Sequence, residues 1–457
     1  MAFTPQDLIE FLPADRSACL VAYSGGLDSH VLLYALCKLR DSGHFKGNIR
    51  AVHVNHGLSA HASKWSNHCQ LVCQSLQVSL EVTSISVKQE GKGIEDSARQ
   101  GRLQVFEQLL GPGEYLLTAH HLDDQVETQL FRLMRGTGLR GLVGIRHTRE
   151  FGQGSMCRPL LSFGREELLE YARQEQLVWI EDESNEDEGL DRNFLRHKIL
   201  PLLTQRWPGY KKNWQRLAQL AGEGQVLQQE LGQLDLAKVR EGLHRLSIPQ
   251  LLEFSPLRQR NILRTWFLAL EASHGIPVPD YYVVERILTE LVPAAEDGQP
   301  EVSWNKEGKL LTVRRFAERI YLVQDTKADL EENPLILEKG HALQLPGELG
   351  TLSLVETESE GFELFESPMK VGFRQGGETA KPAGRKTRSL KKILQDYHVP
   401  PWLRSKIPLV YLEGELLAVG DLFICEPRQV KNATNPTRGQ KKLYRIQWDR
   451  ADLHCGY

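Results

Sequence analysis

Residues 19–39 read CLVAYSGGLDSHVLLYALCKL: an apolar run, a Ser-Gly-Gly turn and a helical pattern with no break between them. A strand that ends at Ser24 and resumes as a helix near Leu27 is the strand–turn–helix step of a parallel sheet. The same step recurs downstream. IRAVHVNH from Ile49 precedes a polar helix through Val72, LEVTSIS from Leu80 precedes Ala98 to Leu110, and EYLLTAH from Glu114 precedes a helix from Leu122 to Met134. Short apolar strands alternating with helices predict a doubly wound α/β domain, its parallel sheet covered on both faces and its ligands at the carboxyl ends of the strands.

The turn itself, Ser24-Gly25-Gly26-Leu27-Asp28-Ser29, carries the strongest chemical signal. Two glycines let main-chain N–H groups approach an anion, two serines add hydroxyl donors, and the helix that follows contributes the positive end of its dipole. A phosphate or pyrophosphate fits such a loop. Asp28 would repel it unless a cation stood between them, so the loop predicts a Mg²⁺ ion bridging the Asp28 carboxylate and nucleotide oxygens. An ordinary glycine turn with a capping Asp or Ser is the plain alternative. No Walker-type G-x-x-x-x-G-K-[ST] occurs, Gly384-Arg385-Lys386-Thr387 lacking the leading glycine. Gly136-Thr137-Gly138-Leu139-Arg140-Gly141 matches the dinucleotide fingerprint G-x-G-x-x-G by letter. It follows a helix instead of a strand, which excludes that role.

A second constellation, His120-His121-Leu122-Asp123-Asp124-Gln125-Val126-Glu127-Thr128, sits at the end of the fourth strand. Asp124 and Glu127, three apart, share a helix face. They can hold a metal, bind a substrate ammonium, take a proton from an attacking amine, or merely serve the helix dipole. Further on, Asp182-Glu183-Ser184-Asn185 precedes Arg192 and Arg196, whose spacing of four allows them either to clamp phosphates or to pair with those acids. His53 and His56 lack metal-motif spacing and read as nucleotide-lining or structural.

With 457 residues, 41% hydrophobic and 25% charged, the chain has the composition of a folded protein of about three domains. We expect an α/β part over 1–213, a mainly helical part over 214–330 and a β-rich part over 335–457, with DTKADLEENP from Asp325 as a linker. The helical part rests on Trp214 to Arg240 and Pro256 to Leu270, and closes with a hairpin of EVSW and KLLTV around Asn305 to Gly308. No run approaches the roughly 18 apolar residues of a membrane span, and the N-terminus lacks the basic start of a secretory signal. Seven scattered cysteines without a C-x-x-C pair suit reduced thiols in a cytoplasmic protein, Cys69 and Cys73 reading as small buried apolar residues. Net charge is only −3, yet Lys381, Arg385, Lys386, Arg388, Lys391, Lys392, Arg404 and Lys406 face Asp396 alone, a local +7. Such a stripe is either a polyanion site or a solvated face.

SGGLDS resembles the pyrophosphatase loop of enzymes that split ATP into AMP and pyrophosphate, which implies adenylation. With HHLDDQVET, RGTGLRGL, Arg158-Pro159-Leu160, DESN, RNFLRH, FRQGGE at Phe373, SLKKILQD at Ser389 and VPPWLRSKIPLVY at Val399, the chain resembles the tRNA(Ile)-lysidine synthetases over nearly its whole length. That resemblance implies conversion of the wobble cytidine of a CAU-anticodon isoleucine tRNA to lysidine, with ATP, Mg²⁺ and L-lysine as co-reactants. It assigns Ser24, Gly25, Gly26, Leu27, Asp28 and Ser29 to ATP, Asp28 also to the metal, Asp124 and Glu127 to lysine or its departing proton, and Arg192 to the reacting phosphate or base. Lys386, Arg388, Lys391, Lys392 and Trp402 then fall to tRNA, the lysines and arginine on the backbone and the indole on a base, unless Trp402 is core. The nearest rivals are tRNA thiolation, which wants reactive paired cysteines, and a small-molecule ligase, which has no use for the basic stripe.

Overall fold

The computed structural model describes the chain except for residues 1–2, 13–17, 56, 58–60, 86–93, 182–188, 190, 296–299, 325–334, 347–348, 359–360, 364–367, 426–441 and 451–457. It comprises two compact units, 1–227 and 228–457. The expected linker from Asp325, the DESN run, His56 and Cys455 lie outside the described residues.

The first unit is built on strands β1 (Cys19–Ala22), β2 (Ile49–Asn55), β3 (Ser79–Ser84), β4 (Tyr115–Leu117), β5 (Thr148–Phe151) and β6 (Gly154–Cys157), in the order β3-β2-β1-β4-β6-β5. All neighbours are parallel except the β5–β6 pair. Its helices are α1 (Leu27–Asp41), α2 (Ala62–Ser75), α3 (Ile94–Leu109), α4 (Leu122–Met134), α5 (Leu139–Leu142), α6 (Arg165–Gln174), α7 (Asp191–Phe194), α8 (Leu200–Arg206) and α9 (Tyr210–Val239), the last continuing into the second unit. Alternation along β1 divides the core. Cys19 and Val21 pack with α1 and α6 residues such as Leu36 and Leu168, while Leu20 joins Leu116, Val105 and Met156 on the other face. Each such side chain contributes about 1.5–3 kcal/mol on burial. The doubly wound parallel sheet expected for this part is therefore the observed one.

Chain order runs outward from β1 to β2 and β3, then returns to place β4 and β6 on the opposite side. The reversal falls between β1 and β4, a topological switch point, where α/β sheets open a crevice for ligands. Register Cys19↔Tyr115 to Val21↔Leu117 makes the segments after β1 and β4 leave the sheet side by side.

The second unit carries a five-stranded antiparallel sheet in which Glu301–Lys306 and Lys309–Phe316 form the expected hairpin. Glu307 and Gly308 take φ of 54° and 76°, the left-handed pair of a two-residue turn that matches strand twist. The helix Pro256–His274 buries Trp266 and Phe267 with this sheet's core. Beyond it lies a β-rich part with a five-stranded and a four-stranded sheet sharing one core, including Leu390, Ile393 and Leu394 of the short helix Leu390–Asp396. Among the described residues no helix is long and apolar enough to cross a membrane.

Candidate active site

The loop after β1 is held in shape by its own hydroxyls. Ser29 Oγ accepts from the Ser24 N–H at 3.2 Å, lies 3.0 Å from Ser24 Oγ and donates to the Gly26 carbonyl at 3.0 Å. Gly25 stands at φ +85°, and a Cβ there would lie 2.8 Å from Ile180 Cδ1 and 2.9 Å from Cys69 Sγ. Backbone conformation and space therefore both demand glycine. Ile180 donates its N–H to the Gly25 carbonyl at 2.9 Å, so the loop rests against the chain that follows α6. Leu27, Asp28 and Ser29 open α1, whose first-turn N–H groups have no acceptor inside the helix and point toward an incoming anion.

Asp28 keeps one carboxylate oxygen, Oδ1, buried and without a hydrogen-bond partner among the described residues. An orphaned carboxylate oxygen at a phosphate loop is the donor a Mg²⁺ ion would take, and such an ion needs only one or two protein carboxylates when phosphates supply the rest. The residues present thus fit the metal. Among the described residues no group of three or more His, Cys, Asp or Glu is arranged to hold one, so Asp28 would act with the nucleotide as co-ligand.

The other Asp28 oxygen lies 3.6 Å from His121 Nε2. His121, 2% exposed, is wedged among three carboxylates: its Nε2 is also 3.5 Å from Asp124 and its Nδ1 3.8 Å from Asp123. Burial alone would lower its pKa, but Asp124, Asp28 and Asp123 together raise it to about 9. The imidazole ring thus stands between the loop's carboxylate and the acids of α4. Neighbouring His120 goes the other way, burial taking it down to about 4, with Thr118 Oγ1 2.9 Å from its Nδ1.

The two adjacent aspartates of α4 part company. Asp123 turns away, accepting from Lys211 Nζ at 2.6 Å and from the Arg165 N–H at 3.0 Å, and so ties α4 to the starts of α6 and α9. Asp124 accepts the His121 N–H at 3.0 Å and lies 3.4 Å from Arg196 Nη2. Burial disfavours its charge, yet His121, His120 and Arg196 outweigh that and keep it below the usual range. Glu127, 2% exposed, takes a two-pronged bond from Arg196, Nε to Oε1 at 2.6 Å and Nη2 to Oε2 at 2.9 Å. Its pKa nevertheless rises, because burial exceeds the help of the guanidinium and Asp124 adds repulsion.

Residues 4–203 match a family model described as a PP-loop domain, residues 246–321 one described as the TilS substrate binding domain, and residues 369–448 the TilS substrate C-terminal domain. The tRNA(Ile)-lysidine synthase of Coxiella burnetii is 38% identical over 436 residues, 94% of each chain, and that of Pseudomonas aeruginosa 40% identical over 414 residues, 88% of this chain and 89% of that one. The chain belongs to the tRNA(Ile)-lysidine synthase family. It is an enzyme with a PP-loop ATP-binding domain. Among solved structures, a U34-tRNA thiolase from Methanococcus maripaludis matches at 16% identity and TM-score 0.40, covering 48% of this chain and 77% of that one.

In this member of the lysidine synthase family, the arginine at the acids is Arg196. Spacing alone put Arg192 and Arg196 on a common face. A π turn over Leu195–Ile199 follows α7 and carries Arg196, whereas Arg192, on α7 itself, stands near enough to Arg132 to help lower that guanidinium's pKa. His53 stays under the loop, its Nδ1 3.1 Å from the Tyr23 carbonyl oxygen and 3.5 Å from Cys69 Sγ. Cys69 and Cys73 are buried, and burial pushes both thiols up to about 12. In the second unit, Lys386, Arg388, Lys391 and Lys392 are all exposed. Trp402 is half-buried, with Phe316 and Tyr321 edge-on to its ring at 6.1 and 5.5 Å and the Arg314 guanidinium over it at 5.5 Å. The residues that sequence reasoning passed over are His121 as a wedge, Asp123 as a tie and Lys211 as its partner.

Proposed function

We propose that the chain joins L-lysine to C2 of the wobble cytidine of an isoleucine tRNA with a CAU anticodon, splitting ATP into AMP and pyrophosphate. The observation that supports this most directly is the imidazole of His121, standing 3.6 Å from Asp28 of the phosphate loop and 3.5 Å from Asp124 of the acidic pair. Nucleotide chemistry and amine chemistry then share one crevice.

In the first half-reaction the cytosine O2 attacks the α-phosphorus of ATP, a P–O bond forms and pyrophosphate leaves. Ser24, Gly25, Gly26, Leu27 and Ser29 bind the phosphates through main-chain N–H and hydroxyl groups. Asp28 would hold Mg²⁺, which when bound would offset the negative charge of the phosphates. In the second, the lysine ε-amine attacks C2 and AMP departs with the oxygen. An unperturbed ε-amine has a pKa of about 10.4, so it must give up a proton before attack. Asp124, held ionised, attracts the ammonium. Glu127, whose pKa is raised, is the better proton acceptor, and Arg196 orients it. Arg192 would meet the reacting phosphate or base from α7. Catalysis belongs to residues 1–213, while 214–330 and 335–457 are tRNA-binding parts, where Lys386, Arg388, Lys391 and Lys392 hold the backbone and Trp402 offers a ring to a base.

The test is transfer of labelled lysine to a CAU-anticodon isoleucine transcript with Mg·ATP, beside Asp28→Ala and a transcript with U at the wobble position. Stable label only with active protein and intact C supports the reading. Pyrophosphate release that depends on RNA, without label, would overturn lysine as second substrate.

A further inference from the structure

The Gly136–Gly141 stretch, rejected as a dinucleotide fingerprint, is fastened to α4 by a ladder of side chains. Gln125 donates to the Val143 carbonyl at 2.9 Å and accepts the Ile145 N–H at 2.5 Å; Gln129 donates to the Leu142 carbonyl at 2.5 Å. Arg132 donates to the carbonyls of Gly144 at 2.9 Å and Gly141 at 3.3 Å. Positions 125, 129 and 132 follow one another along a single face of α4. Both glutamines are buried, Gln129 completely. A Cβ on Gly144 would lie 2.5 Å from Gln125 Oε1 and one on Gly141 would collide with Thr137, so the glycines serve close approach.

What this ladder positions is positive charge. Arg132 is half-buried, and its guanidinium is lowered in pKa by burial and by Arg192, Arg99 and Arg140. Arg158, 7% exposed, donates to the Arg146 carbonyl at 2.7 Å and leaves its Nε buried without a partner. Burial, Arg149 and Arg99 bring it down to about 10. Among the described residues neither Arg132 nor Arg158 is bonded to a carboxylate: Arg132 donates to main-chain oxygens, and Arg158 to the Arg146 carbonyl and, through Nη2, to Met156 Sδ at 2.8 Å. Arg99 and Arg140 are exposed beside them, as are the apolar Met134 and Leu139. The guanidinium groups of Arg132 and Arg158, one half-buried and one buried, are costly there without an anion to complete them. Along α4, Asp124 and Arg132 are separated by about 12 Å at 1.5 Å per residue. A polynucleotide whose reacting base sits at Asp124 has neighbouring phosphates within reach of this cluster.

We propose that Arg99, Arg132, Arg140 and Arg158 form the seat for the phosphates of the RNA strand flanking the reacting nucleotide, with the 136–145 loop as its rigid rim. The seat rests on the tRNA reading above and adds to it where the first unit grips the strand. Released pyrophosphate offers the same chemistry and is distinguished by experiment.

A fluorescent anticodon stem–loop hairpin with CAU is titrated against the full chain at several salt concentrations, without ATP. The expected result for Arg99→Glu with Arg140→Glu, both exposed positions, is at least tenfold weaker hairpin binding and a salt slope reduced by about one per lost phosphate contact. Arg140→Lys retains binding. ATP affinity measured without RNA stays within about twofold, which reports an intact fold. Unchanged hairpin affinity and slope overturn the seat. So does millimolar pyrophosphate that displaces the hairpin from the unaltered chain and binds the double variant more weakly. If hairpin binding behaves as expected while no lysine is transferred to whole tRNA, the seat stands and the lysine reading falls.

Discussion

Arg196 and Glu127 depend on one another more than either depends on water. Removing the guanidinium with Arg196→Ala leaves a carboxylate that is 3% exposed without its partner, a change expected to cost about 3 kcal/mol and to lower Tm. Thermal unfolding of this variant, with Arg196→Lys as the charge-retaining reference, measures it. Glu127→Gln keeps the shape and removes the proton acceptor. Lysine transfer should fall at least a hundredfold while RNA-dependent pyrophosphate release persists, and equal losses of both would assign Glu127 to the first half-reaction. His120 gives a pH signature. Its folded pKa, about 4, lies below the ordinary 6.5, so the unfolded chain takes up the proton first. Its contribution is complete above about 6.5 and is lost as pH falls toward 4. The unaltered chain should therefore lose Tm across that window more steeply than His120→Gln.

At the level of elements, the loop between β1 and α1 has no room for variation at Gly25. Gly25→Ala meets a left-handed backbone costing about 1–2 kcal/mol and side chains of Ile180 and Cys69 already in contact range, worth a further 1–3 kcal/mol or so. Both ATP affinity and Tm should fall, whereas Gly43→Ala, also at positive φ but facing open space, should lower Tm by the backbone cost alone, about 1–2 kcal/mol, and leave ATP affinity unchanged. This loop and α4 were legible because their signals are local: turn residues between two periodicities at Ser24–Ser29, and a helix pattern that begins at Leu122 and ends at Met134. The β5–β6 hairpin was not, since its outer strand, Thr148–Phe151, is largely exposed and shows no alternation. Choosing Arg196 over Arg192 needed the π turn, which a 3.6-residue period does not anticipate. Asp123 and Asp124 could be told apart only by Lys211 and Arg165, partners 88 and 42 residues away. His121 acquires its meaning from β1 and β4 being neighbours, a property of sheet order instead of spacing.

Across the whole molecule, the basic stripe from Lys381 to Lys406 was legible in the sequence as local charge, whereas the packing partners of Trp402 were not. Replacing Lys386, Arg388, Lys391 and Lys392 by Ala should weaken whole-tRNA binding and flatten its salt dependence without changing ATP affinity, since all four are exposed. Trp402→Ala is expected to lower Tm, by about 2 kcal/mol equivalent, because its ring is engaged by Phe316, Tyr321 and Arg314 from strands far upstream. Calorimetry beside hairpin and whole-tRNA titrations separates that loss from any loss of RNA contact. The packing of Cys69 against Gly25 carries a different consequence. A thiol buried and pushed to about 12 is almost wholly un-ionised at neutral pH, and only thiolates react quickly with disulfide reagents. In a variant whose other six cysteines are replaced by serine, colour development from such a reagent therefore counts openings of the wall behind the nucleotide loop. Bound ATP, by closing the loop, should slow that count in proportion to its occupancy, which makes an inert sulfur a kinetic gauge of how often the crevice breathes.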